Sequence, residues 1–238
     1  MSVHRLLLRG MFAGLLAGLA AFILGKIIGE PQIDHAIAFE TAQILAKGEA
    51  PEPELVSRAV QASLGLLTAM IVYGAALGGL FALTFAVCFG RYGAVSIRSF
   101  SALLAALCFV VVFAIPFLKY PANPPAVGDE ATIGIRTALY FSMIAVSGVA
   151  LVASLSFARL VRPRLGRWNA GAAAVVVFLV LVAVAATCLP AVDEVPGGFP
   201  AATLWRFRLA SLGLQALLWA VIGSLFGILT QRAVDARG

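Results

Sequence analysis

Between positions 30 and 40 the sequence carries Glu30, Asp34, His35 and Glu40, three carboxylates and an imidazole in a chain with two histidines in all. Carboxylate and imidazole are the ligands that first-row divalent metals accept, with water completing the set. Glu30, Asp34, His35 and Glu40 are therefore the candidate metal ligands. Ile33, Ile37, Ile44 and Leu45 recur at helical spacing over the same stretch and predict a short amphipathic helix on the outer surface. On a 100° wheel Asp34 falls inside that apolar stripe and Glu30 lies one turn earlier on the same side, whereas His35 and Glu40 project elsewhere. A carboxylate aimed at protein or lipid must be satisfied by a cation, a basic side chain or a helix N-terminus. Asp34 is thus the strongest single candidate, with a solvated anchoring helix as the competing reading.

Two further groups could form an outer gate or structural ion pairs. Lys119, Asn123 and Asp129 lie in a proline-rich stretch that leads to Arg136, and Asp193 and Glu194 precede Arg206 and Arg208. The arginines suit pairing with the nearby acids or holding an anionic ligand. No GxxxxGK[ST] loop, no HExxH and no Ser and His pair at matching membrane depth occurs, so ATP hydrolysis and intramembrane proteolysis are disfavoured. Cys88, Cys108 and Cys188 fall in or beside apolar runs without a CxxC pair and read as small core residues. Transport or binding fits better than catalysis, and no permanently bound cofactor is expected.

These residues sit in a chain of 238 amino acids, 62% hydrophobic and 12% charged, with a mean hydropathy of +1.02. Too few polar side chains remain to cover a water-facing surface, so the apolar surface must face lipid. A β-barrel would alternate apolar and polar positions, whereas Val175 to Val184 is apolar on all sides. The expected fold is an all-α, polytopic membrane helix bundle forming one integral-membrane domain over residues 1–238. Six runs are long enough to span: Leu6 to Ile28, Ala59 to Gly90, Ser99 to Leu118, Thr137 to Ala158, Trp168 to Leu189 and Leu209 to Gln231. The first lacks a clear cleavage site and reads as a retained span.

Charge sets the orientation. The N-terminus, the second and fourth connections and the C-terminus hold ten arginines and one acid, Asp235, while the other connections hold the remaining acids. Both termini are therefore expected in the cytoplasm, a placement pinned by Arg159, Arg162, Arg164 and Arg167. The net charge of +6 is explained by this arrangement better than by nucleic acid. Gly10, Gly14, Gly18, Gly25 and Gly29 lie along one face of span one and predict close helix packing, as do Gly74 with Gly78 and Gly223 with Gly227.

Several strings carry a resemblance: Gly29-Glu30-Pro31, Ala36 to Glu40, Pro116 to Pro125, Thr137 to Tyr140, and Trp205-Arg206-Phe207-Arg208. Together they resemble the CbtA family of proposed cobalt transporter subunits over nearly the whole chain. The resemblance implies a multi-pass permease-like subunit of the bacterial cytoplasmic membrane, with cobalt(2+) as the ion carried and a small single-span, His-bearing CbtB-type partner. A non-transporting accessory subunit is the alternative, and a membrane enzyme acting on an anion the less favoured third. It also implies five spans where hydropathy gives six.

Overall fold

The computed structural model describes residues 2–50, 55–91 and 95–236, and every regular element among them is helical. Glu52, Glu54 and Arg237, which enter the charge asymmetry, lie outside the described residues. In chain order the helices are α1 (Val3–Leu24), α2 (Glu30–Ala46), α3 (Arg58–Val60), α4 (Leu66–Cys88), α5 (Ile97–Cys108), α6 (Ile115–Lys119), α7 (Ile133–Cys188) and α8 (Ala201–Asp235). Three π-helical turns, Gly25–Gly29, Gln61–Gly65 and Phe109–Ala114, join α1 to α2, α3 to α4 and α5 to α6. Five helical stretches are long and apolar enough to cross a membrane: Val3–Ala46, Arg58–Cys88, Ile97–Lys119, Glu130–Cys188 and Ala201–Asp235. The described residues divide into two compact units, the first holding α1 to α5 and α8, the second holding α6 and α7.

In the first unit α1 lies against α4 with the backbones in contact. A Cβ added to Gly10, Gly14 or Gly18 would run into the carbonyl oxygens of Gly78, Gly74 and Met70 respectively, and Gly74 and Gly78 are blocked in return by Gly14 and Gly10. Such meshing supplies van der Waals contact where lipid removes the hydrophobic drive between helices. Gly25 and Gly29 depart from the expected ladder: the first would meet leucine side chains at 3.7 and 3.8 Å, and the second nothing within 4 Å. Both are buried in a π-turn, where Gly25 still faces Leu66 of α4 but meets side chain instead of backbone.

Helix α8 packs on α5 through the same small-residue logic. Gly223 faces the Ala105 methyl and Gly227 the Ser101 side chain, and the Ser101 hydroxyl donates to the Gly223 carbonyl oxygen at 2.6 Å. Phe81, Phe85, Phe100 and Phe226 meet edge to face in the core of this unit, each pair adding about 0.5–1.5 kcal/mol beyond its burial.

The first span does not end at Glu30-Pro31, and the separate surface helix expected there is instead a continuation of that span. Gly29 (φ −87°, ψ −55°) and Glu30 (φ −54°, ψ −43°) remain helical, and Val3–Ala46 runs as one helix of 44 residues. In the π-turn the Glu30 N–H reaches back to the Gly25 carbonyl. The wider turn accommodates the ring and the missing N–H of Pro31 that would break a regular α-helix. Pro116 repeats the device, opening α6 two residues after the π-turn Phe109–Ala114.

In the second unit, α7 would span about 84 Å if straight, far beyond a hydrocarbon core of about 30 Å. It is not straight. Gly166 has φ 74° and ψ 173°, a region open essentially to glycine alone. Met143, Ala150 and Val182 share one buried cluster with Ile115 and Tyr120, although a continuous helix would hold Met143 and Val182 about 58 Å apart. The chain folds back at Gly166, and Ala150 and Val182 lie equally far along it on either side. Pro163 and the surrounding arginines give this reversal its sequence signature.

Candidate functional site

Glu30 opens α2 directly after the first π-turn, and Asp34 follows one turn later on the same face. Arg58 opens α3, just ahead of the second π-turn. The Arg58 Nη2 donates to Glu30 Oε2, and its Nε donates to Asp34 Oδ1 at 3.0 Å. One planar guanidinium thus holds both carboxylates, a geometry that suits arginine's rigid fork and not the point charge of lysine. The Glu30 side chain is 8% exposed and that of Asp34 61%. The buried carboxylate is therefore Glu30, and Asp34 sits at the solvent end of the pair rather than inside an apolar stripe. The local formal charge of two acids and one base is negative, which favours a further cation.

His35 and Glu40 are exposed on other faces of α2 and do not join this pair. Among the described residues no group of three or more His, Cys, Asp and Glu side chains comes together, so the four-residue ligand set expected from spacing is not assembled. What the fold supplies is a two-carboxylate site with an arginine seated in it. Arg58 escaped detection because its pairing bridges separate helices, which a wheel drawn on one segment cannot display.

The residues expected at an outer gate fall into structural roles in the second unit. Arg136 Nη2 donates to the Asp129 carbonyl at 2.9 Å, and its Nε lies 3.4 Å from Glu194 Oε2. Glu194 Oε2 also accepts from the Asp129 N–H and the Thr132 hydroxyl, both at 2.9 Å. The Asp129 N–H above all, then Thr132 and Arg136, hold the Glu194 carboxyl below the usual carboxylate range. Gly128, at φ 113°, leaves room for the Arg136 guanidinium that a Cβ would strike. Lys119 Nζ stands 5.8 Å over the Tyr120 ring, whose hydroxyl donates to the Pro190 carbonyl at 2.8 Å. Asn123 is half-buried and Asp193 exposed. Glu194 is thus engaged by Arg136 and backbone, a partner choice different from the expected Arg206 and Arg208. In the first unit Arg208 is half-buried, and Arg206 lines a cavity with Gln32.

Five helical stretches long and apolar enough to cross a membrane, two of them meshed through glycines, define a multi-pass membrane protein. The chain belongs to the family described as probable cobalt transporter subunit (CbtA), whose model matches residues 3–231. No curated protein and no solved structure matches the chain.

Proposed function

We propose that this chain is the membrane subunit of a cobalt(2+) uptake system in the bacterial cytoplasmic membrane, and that Glu30 and Asp34 capture the ion at its outer mouth. The observation that carries the reading is the shared grip of both carboxylates on Arg58. A divalent cation replacing the guanidinium would neutralise both acids, and Arg58 keeps the buried Glu30 satisfied when no metal is present. Two carboxylates leave an octahedral ion short of ligands. This favours a small His-bearing, CbtB-type partner that contributes imidazole, and it also supports the second reading, an accessory subunit that binds without transporting. Cobalt uptake by the purified chain in liposomes, with and without the partner, separates the two.

Asp34→Asn should lower cobalt accumulation per folded molecule several-fold at unchanged protein level, and Glu40→Gln should leave it unchanged. Normal accumulation in Asp34→Asn would remove this segment from the ion path.

The orientation we propose has six crossings, with the Gly166 reversal separating two of them and both termini in the cytoplasm. The arginines around that reversal and the break in α7 support it. Reporters fused after Arg98, Arg167 or the C-terminus should read cytoplasmic, and those near Lys47, Val127 and Gly198 external. A cytoplasmic signal at Val127 would sink the six-crossing arrangement.

A further inference from the structure

A second site in the first unit is independent of the carboxylate pair. The π-turn residues Ile27 and Ile28, together with Gln32, Arg206, Leu209 and Ala210, line a cavity of about 360 Å³. Three features of its lining point to one ligand chemistry. Arg206 is exposed and has no carboxylate within ion-pair distance among the described residues, so the cavity offers a cation to an anion. Gln32 is 9% exposed, yet its Oε1 is buried without a hydrogen-bond partner. A buried acceptor left unpaired is costly and calls for a donor. The remaining wall is aliphatic, and Ile27 and Leu209 are 66% and 47% exposed at its rim.

A ligand matching this lining carries an anionic group, a hydrogen-bond donor near it and an apolar body. Depth supports the same chemistry. Arg206 lies in the second turn of α8, where the apolar span begins, and the neighbouring Trp205 is exposed as an interfacial aromatic is. A metal cation is disfavoured, since the lining holds Arg206 and no carboxylate to offset it. We infer that this cavity binds a phosphate diester bearing a hydroxyl or ammonium donor, and that its source is a membrane phospholipid. The phosphate pairs with Arg206, the headgroup donor serves Gln32 Oε1, and the acyl chains leave along Ile27 and Leu209.

The test uses the full chain in detergent, reading its thermal midpoint against added dioctanoyl phosphatidylglycerol, with glycerol 3-phosphate as the soluble source of the same phosphate. The phospholipid should raise the midpoint by several degrees, and glycerol 3-phosphate at equal concentration should not. Arg206→Gln should lose most of the shift, while Arg164→Gln, outside the cavity, should keep it. Gln32→Leu removes the orphaned acceptor, so it should raise the lipid-free midpoint and diminish the lipid-induced shift. An undiminished shift in Arg206→Gln, an equal shift with glycerol 3-phosphate, or a lowered lipid-free midpoint in Gln32→Leu would each overturn the assignment.

Discussion

Arg58→Gln should destabilise the purified, metal-free protein by about 3–5 kcal/mol, because removing one partner of a buried pair strands the charge of the other. The stranded group is Glu30, whose side chain is almost wholly enclosed. Asp34→Asn breaks the other arm of the same grip, but Asp34 is largely exposed; solvent can replace the contact and the loss should be about 0.2–1 kcal/mol. Pairing Arg58→Gln with Glu30→Gln should recover most of the stability, since neither charge is then left uncompensated. Denaturant unfolding in detergent micelles gives all three values. Cobalt(2+) adds the discriminating arm: if Arg58 occupies the place of the ion, the metal should stabilise Arg58→Gln far more than the parent protein. Equal metal responses in the two would show that Arg58 and the ion do not compete.

Gly14→Leu should be the most damaging change along the first span, costing about 3 kcal/mol or more, the upper end of what overpacking exacts. The obstruction is backbone: a Cβ at Gly14 meets the Gly74 carbonyl oxygen, and no rotamer moves that atom. Relief requires separating α1 from α4 along their whole line of contact. Gly18→Leu should behave similarly against Met70. Gly29→Ala should be harmless, because nothing lies within 4 Å of the added atom, as should Leu15→Ala, which trims a partly exposed lipid-facing side chain. Folded yield by size-exclusion chromatography distinguishes these outcomes, and equal yields of Gly14→Leu and Leu15→Ala would place the glycine stripe in lipid.

What could be read from sequence was whatever repeats along one helix. The spacing of Gly10, Gly14 and Gly18, and that of Glu30 and Asp34, are properties of a single segment, and each set shares a face of its helix. The stretch around Gly166 was legible as a connection because Arg159, Arg162, Arg164 and Arg167 interrupt the apolar runs there. Arg58 and Gln32 were not legible. Their significance rests on neighbours from distant segments, Glu30 for one and Arg206 for the other, and a wheel drawn on one segment contains no information about a second. The π-turns were also hidden, since Gly25 to Gly29 has no composition that an ordinary α-helical turn would refuse. Pro31 was the clue, standing where a separate surface helix was expected and where the fold instead continues the span.

That turn also settles where the carboxylates point. On an unbroken α-helix Glu30 would lie about 120° around the axis from Gly18, turned away from the α4 side. The π-turn takes up about one residue, which returns Glu30 to within about 20° of the glycine stripe and so toward the chain that delivers Arg58. The angular phase of the acidic pair is therefore set by the π geometry of that turn. A deletion of one residue there would restore α geometry at nearly the same phase, whereas a change that straightened the turn without shortening it would swing Glu30 and Asp34 about 100° from Arg58. The glycine mesh, lying upstream, would not register the change: loss of the π-turn at constant length is what would leave the α1–α4 contact intact while parting the acidic pair from Arg58.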